Sequence, residues 1–249
     1  MLEGILSFIF PPYCLGCFND GPSYCCASCL RQIELFRDSC PLCNYPSTPG
    51  RVCGWCLGDT PLDGLYIAAP YDQPLLPELL MAFKFEGVRS LASELGTLLR
   101  PLLTYCPKKS ILLPLPLSWW RQQERGFNQS ELLARATTKA GGTEAGTPLA
   151  RRPTQSRLST CGVAQVTGPA VANLLLKRRW SFRQSKLNET ERAKNVHGKF
   201  SCPQPELVKN KTIILLDDLY TTGATLQEAA RVLKQAGAKK VMGLALAKG

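Results

Sequence analysis

Residues 213–225 read Ile-Ile-Leu-Leu-Asp-Asp-Leu-Tyr-Thr-Thr-Gly-Ala-Thr: an apolar run, two adjacent carboxylates, then a hydroxyl- and glycine-rich turn that opens a helix. A helix start offers successive backbone N–H groups, here beside the hydroxyls of Thr221, Thr222 and Thr225, and Gly223 permits close approach. That combination suits a phosphate monoester. Asp217 and Asp218 would repel the phosphate itself, so their chemistry is to accept hydrogen bonds from sugar hydroxyls or to hold a divalent cation through water. Phosphate plus ribose is the implied ligand. The competing reading is a solvated Asp-Asp turn with Thr221 as a helix N-cap.

The cysteines carry a second, independent chemistry. Eight of the twelve form four Cys-x-x-Cys pairs: Cys14 and Cys17, Cys26 and Cys29, Cys40 and Cys43, Cys53 and Cys56. Such a pair aims two thiolates at one tetrahedral ion, and two pairs complete a four-thiolate shell with Zn–S bonds of about 2.3 Å. Spacing alone does not fix the pairing. Consecutive sets, Cys14/Cys17/Cys26/Cys29 and Cys40/Cys43/Cys53/Cys56, close the shorter loops. Two structural Zn2+ ions are expected, since metal binding there replaces a core too small to fold alone. A disulfide scaffold is the alternative, disfavoured for a chain read as residing in a reducing compartment. Cys106, Cys161 and Cys202 lack the spacing and read as ordinary thiols.

Several elements must position these groups. Thr212 to Leu216 reads as a strand buried on both faces that stops at Asp217, and Leu226 to Gln235 as a helix ended by Gly237. Upstream, Leu65 to Ala69 reads as a strand, with Leu75 to Phe85 and Leu91 to Leu103 as helices joined through Lys84-Phe85-Glu86-Gly87. Ile111 to Leu113 is a buried strand broken at Pro114-Leu115-Pro116, because proline supplies no ladder donor. The run Trp119 to Gln129 then leads into a helix over Ser130 to Ala136. A last strand, Lys240 to Ala247, is placed beside the Ile213 strand. Residues 137–173 are rich in Thr, Gly, Ala and Pro with weak periodicity and read as an inserted mobile loop, its Arg151, Arg152 and Arg157 solvated.

The pattern hhhhDDhxTTGxT resembles the phosphoribosyl-pyrophosphate (PRPP) loop of type I phosphoribosyltransferases. Joined to the N-terminal Cys-x-x-Cys knuckles after Phe-Pro-Pro, the P-L-P-L-S turn and the R-x-x-x-R-G-F-N-Q run, it is similar to the ComF family of competence-associated proteins over most of the chain. The resemblance implies an α/β fold with a mainly parallel sheet flanked by helices over about 61–249, preceded by a double zinc-ribbon module over about 11–60. It implies that Asp217 and Asp218 are the catalytic pair on the ribose 2′ and 3′ hydroxyls, and that Thr221, Thr222, Gly223, Ala224 and Thr225 hold the 5′-phosphate. Leu115, Pro116 and the turn to Ser118 would face the diphosphate, with Arg121 and Arg125 supplying bidentate charge. Mg2+ would accompany PRPP. Residues 187–200 resemble the family's flexible segment, whose polar positions match Gln184, Arg192 and Asn195; a lid there would keep water from an oxocarbenium-like centre. His197, the one histidine, reads as a turn residue rather than a base.

Two function classes follow. The resemblance implies a PRPP-binding role in DNA uptake during natural transformation, handling single strands in the cytoplasm. The other class is an active phosphoribosyltransferase of nucleotide metabolism, moving ribose 5-phosphate to a nitrogen acceptor. The formal charge of +11 favours polyanionic partners. With each four-thiolate zinc site at −2 it remains about +7. Trp119, Trp120, Arg121, Arg125 and Phe127 suit single-strand binding, and equally a core plus diphosphate site. Ile5 to Phe10 is too short to span a membrane, Glu3 sits where a signal peptide wants positive charge, and no stable membrane insertion is expected.

Overall fold

A computed structural model describes residues 12–138, 170–171, 173–177 and 198–249. Gln184, Arg192, Asn195, His197, Arg151, Arg152, Arg157, Cys161 and the Ile5 to Phe10 run lie outside the described residues, as does most of 137–173.

Aliphatic runs unbroken by polar residues form the centre. Strands β1 (Gly64–Pro70), β2 (Ser110–Pro114), β3 (Ala170–Val171), β6 (Thr212–Tyr220) and β7 (Lys240–Lys248) make one sheet, ordered β1-β7-β6-β2-β3. Every pairing in it is parallel. Alternation along β6 sends Ile214 and Leu216 into one core, with α1 (Leu76–Phe85), α2 (Leu91–Leu103) and α4 (Gln129–Thr138). Ile213 and Leu215 enter the other core, with α5 (Ala224–Gln235) and the neighbourhood of a small antiparallel pair, β4 (Leu176–Lys177) and β5 (Phe200–Ser201). A sheet covered on both faces needs continuous apolar strands.

Two elements differ from the sequence expectation. β6 does not stop at Asp217; it runs on to Tyr220 because β7 continues beside it, pairing Asp217 with Ala245, Leu219 with Ala247 and Tyr220 with Lys248. β2 has ended by then, its last pair being Pro114 with Leu216, so the final residues of β6 have a partner on one side only. The run Trp119 to Arg125 is a helix of its own, α3, entered from extended Ser118 and closed by left-handed Gly126.

The Cys-rich segment is built into this body. Residues 50–52 add antiparallel contacts along β1, with Ile67 N–H donating to Gly50 O (2.7 Å) and Val52 N–H to Leu65 O (2.8 Å). Gly50 has φ +66, and a Cβ there would stand 2.5 Å from Ile67 O, so only glycine permits the approach. Gln73 holds both backbone groups of Glu34, and Cys14, Cys25, Cys29 and Ile33 share the core of α1 and α2.

Candidate functional site

After β2 the sheet grows outward to β3, whereas after β6 it grows the opposite way, to β7. β2 and β6 are neighbours whose continuations leave in opposite directions, and a crevice at the carboxyl ends of such strands is where open α/β sheets bind ligands. The turn after β2 and the Thr-rich turn after β6 both end there.

The Thr-rich turn has the expected form. Gly223 is the N-cap of α5 in left-handed conformation (φ 74), and a Cβ on it would meet Tyr220 Oη at 2.6 Å. Thr221, Thr222 and Thr225 are exposed, and the first-turn N–H groups of α5 have no intrahelical acceptor. In the other turn, Leu115 is a scaffold residue. Its side chain lies in the core, its N–H donates to Leu216 O (2.9 Å), and its carbonyl accepts from Asn128 Nδ2 (3.0 Å). Pro116, Leu117 and Ser118, which follow it past the carboxyl end of β2, are half-buried. The same Asn128 caps α4 by accepting from Ser130 N–H, tying the turn to the helix.

Strand alternation points Asp217 and Asp218 to opposite faces, and each face supplies a lysine. Lys84, in the last turn of α1, donates to Asp218 Oδ1 at 3.0 Å, and the two side chains are only 12% and 14% exposed. Lys84, and after it Lys177 of β4, lie near enough to Asp217 to favour its ionised form. Even so, burial first, and the Asp218 charge second, push the Asp217 carboxyl up to about 7, against Asp218 N–H donating to its Oδ1 (2.9 Å). Burial lowers the pKa of Lys177, with Arg121 and Lys199 adding like charge.

Arg125 closes α3 with its guanidinium 4.7 Å from the Phe85 ring, next in chain to Lys84. Burial and then Arg121 lower its pKa, Asp218 opposes this, and its Nε is buried with no partner among the described residues. Lys84 and Arg125 thus act on Asp218 and Lys177 on Asp217, with Arg121 near enough to add like charge at both Arg125 and Lys177, Lys199 adding it at Lys177, and Glu124 opposing it at Arg125. The excess is positive, as a polyphosphate requires. Sequence reading named Asp217, Asp218, Arg121 and Arg125 as candidates but not Lys84 or Lys177, which lie far off in sequence and carry no local signature.

The cysteines assemble as two consecutive sets, Cys14/Cys17/Cys26/Cys29 and Cys40/Cys43/Cys53/Cys56, with all sulfurs of a set within 4.8 Å of one another. Cys17 and Cys26 Sγ are 3.9 Å apart, and Cys43 and Cys53 Sγ 3.7 Å. These are too long for a disulfide and match the edge of a tetrahedron of sulfurs around zinc with 2.3 Å bonds, about 3.8 Å. Each set could hold one Zn2+. Burial raises the Cys14 thiol, yet N–H groups of Cys26, Cys17 and Gly16 bring it down to about 6; Cys40 falls to about 7 the same way, through Cys53, Leu42 and Cys43. Hydrogen bonding to Cys43 and burial push Cys56 up to about 12, the reverse that a cation would cancel. The sets are internal repeats: Phe18 and Asn44 both take left-handed φ after the first pair, and Cys26 and Cys53 both cap a helical turn. Cys25, buried and raised to about 12 by desolvation, belongs to neither.

An all-parallel sheet with a Gly-capped, Thr-rich turn at its switch point, joined to two four-cysteine units, defines a phosphoribosyltransferase-like α/β protein with a double zinc-ribbon-like module. Residues 171–248 match the phosphoribosyl transferase domain family. Competence protein ComFC of Bacillus subtilis (strain 168) is 30% identical over 86% of this chain and 78% of its own. DNA utilization protein YhgH of Shigella flexneri is 31% identical over 87% of this chain and 86% of its own. Competence protein F of Haemophilus influenzae is 25% identical over 95% of both chains. The chain belongs to the ComF family. Among solved structures, the allosteric regulatory enzyme of purine biosynthesis aligns with 66% of this chain and 29% of its own, at 18% identity and a TM-score of 0.38. Among the described residues no helix is long and apolar enough to cross a membrane.

Proposed function

We propose that the crevice between the ends of β6 and β2 binds PRPP, and that the protein acts on DNA taken up during natural transformation. The observation that carries the ligand is an acidic pair met by Lys84 on one face and by the charges of Arg125 and Lys177, beside a Gly-capped, Thr-rich helix start at the sheet's switch point. Asp217 and Asp218 accept the ribose hydroxyls through the oxygens left after Asp218 N–H and Lys84 have taken theirs. The 5′-phosphate takes the N–H groups and hydroxyls of Thr221 to Thr225. The diphosphate, neutralised in part by Mg2+, lies toward Pro116 to Ser118, Arg121 and Arg125. The names of the ComFC, competence protein F and YhgH relatives support the DNA-related role. Single-stranded DNA is the partner that the exposed Trp119 and Trp120 fit, and the cytoplasm is where the protein would meet it.

Asp217→Asn with Asp218→Asn is expected to abolish PRPP binding by calorimetry while zinc content and the circular dichroism spectrum stay as in the parent. Unchanged affinity removes the ribose assignment. Release of pyrophosphate from PRPP with ammonia or nucleobases would establish the transferase class instead.

A further inference from the structure

We propose that Lys84 is a substrate-binding residue of this crevice, holding Asp218 with one ammonium hydrogen and the diphosphate of the ligand with the others. The proposal deepens the PRPP reading and rests on it.

An ammonium has three donors and no acceptor. Lys84 gives one to Asp218 Oδ1, the one acceptor it has among the described residues, and its side chain is only 12% exposed. Little water can serve the rest, and donors removed from water require acceptors. Its placement says which acceptors. Lys84 and Phe85 are the last two residues of α1, and Phe85 carries the Arg125 guanidinium on its ring. Two helices from separate parts of the chain therefore bring cations to the Asp218 side of the acidic pair, and Arg125 keeps a buried Nε without a partner among the described residues. Asp218 and Glu124 are the carboxylates acting on this side, against Lys84, Arg121 and Arg125, so the cluster keeps a positive excess. An oxyanion with several acceptors and more than one charge completes the cluster, and among the groups of PRPP the diphosphate is the one not claimed by the Thr-rich turn after β6. A carboxylate between Lys84 and the ribose also stays oriented, so the lysine fixes the hydroxyl-binding oxygen while it meets the diphosphate.

The test is calorimetry on the full chain with Mg2+, titrating PRPP and ribose 5-phosphate into the parent, Lys84→Met and Lys84→Arg. Loss of a charged hydrogen bond predicts that Lys84→Met weakens PRPP about 10- to 100-fold. Ribose 5-phosphate, lacking the diphosphate, is expected to weaken far less, and Lys84→Arg to restore part of the PRPP affinity. Equal losses for the two ligands would overturn the diphosphate contact and leave Lys84 as an orienting partner of Asp218. If the Asp217→Asn, Asp218→Asn protein loses PRPP while Lys84→Met binds it as the parent does, Lys84 has no part in binding and the site reading stands. A parent that binds neither ligand overturns both. Zinc content and melting temperature establish that each variant is folded.

Discussion

Neighbouring residues on a strand face opposite layers, and that alternation makes Asp217 and Asp218 chemically unequal. Asp218 has a lysine within hydrogen-bond distance, whereas Asp217 is held up to about 7 by burial and by its neighbour's charge. Its ordinary value is 3.8, so the folded chain holds this proton more tightly than the unfolded one. The contribution to stability is therefore complete below pH 3.8 and is lost as pH rises through about 7. Ligand affinity has the opposite sign, because an ionised carboxylate accepts from ribose hydroxyls more strongly than a protonated one. PRPP affinity measured by calorimetry is expected to rise with a midpoint near pH 7, while the melting temperature of the parent falls relative to Asp217→Asn across the same interval. Flat affinity from about pH 5.5 to 8 would contradict the assignment of Asp217 to the sugar. At this scale the sequence displayed both aspartates, because their effect on the text is local. It did not display Lys84 and Lys177, which become neighbours of the pair only when the layers on each face of the sheet are packed.

A turn works by what it forbids as much as by what it offers. The Thr-rich turn can present its N–H groups because Gly223 is left-handed and because the Tyr220 ring lies where a side chain on residue 223 would go, with Cε2 2.7 Å from the ideal Cβ. Gly223→Ala then faces two costs, about 1–2 kcal/mol for a left-handed L-residue and the displacement of the ring. The expected outcome is a melting temperature lower by a few degrees and a PRPP affinity at least about tenfold weaker. Tyr220→Phe in that background removes the 2.6 Å contact with Oη but neither the ring carbons nor the positive φ, so it is expected not to restore binding. Full affinity in Gly223→Ala would show that the turn's conformation does not matter to the ligand. Elements with strong patterns were legible: Leu91 to Leu103 is a helix over the residues its periodicity marks. β6 was read short because aspartates end an apolar run in text, whereas the strand continues wherever β7 offers partners. The Trp119–Arg125 helix was hidden for a related reason: none of its residues is buried, so it has no apolar stripe to read.

Charge is divided unevenly across the whole molecule. Residues 1–60 hold three of the thirty Lys and Arg but five of the nineteen Asp and Glu, and two four-thiolate zinc sites would add further negative charge. The basic excess therefore belongs to the α/β body, although the Cys units present exposed rings of their own: Trp55 is 95% exposed and Phe18 73%. Exposed aromatics bind nucleic acid best beside cations that meet the phosphates. By that criterion the proposed single-stranded DNA would lie on α3, where Trp119 and Trp120, 49% and 60% exposed with ring centroids 5.5 Å apart, precede Arg121. Fluorescence anisotropy with a single-stranded oligonucleotide is expected to show affinity falling steeply with salt. Trp119→Ala with Trp120→Ala should weaken binding by about 1–3 kcal/mol per stacked base, whereas Trp55→Ala should leave it unchanged. Should Trp55→Ala weaken binding as much as the double variant, the strand runs over the Cys units against the charge gradient. If neither substitution matters while salt still does, the contact is to phosphates alone and α3 offers no stacking surface.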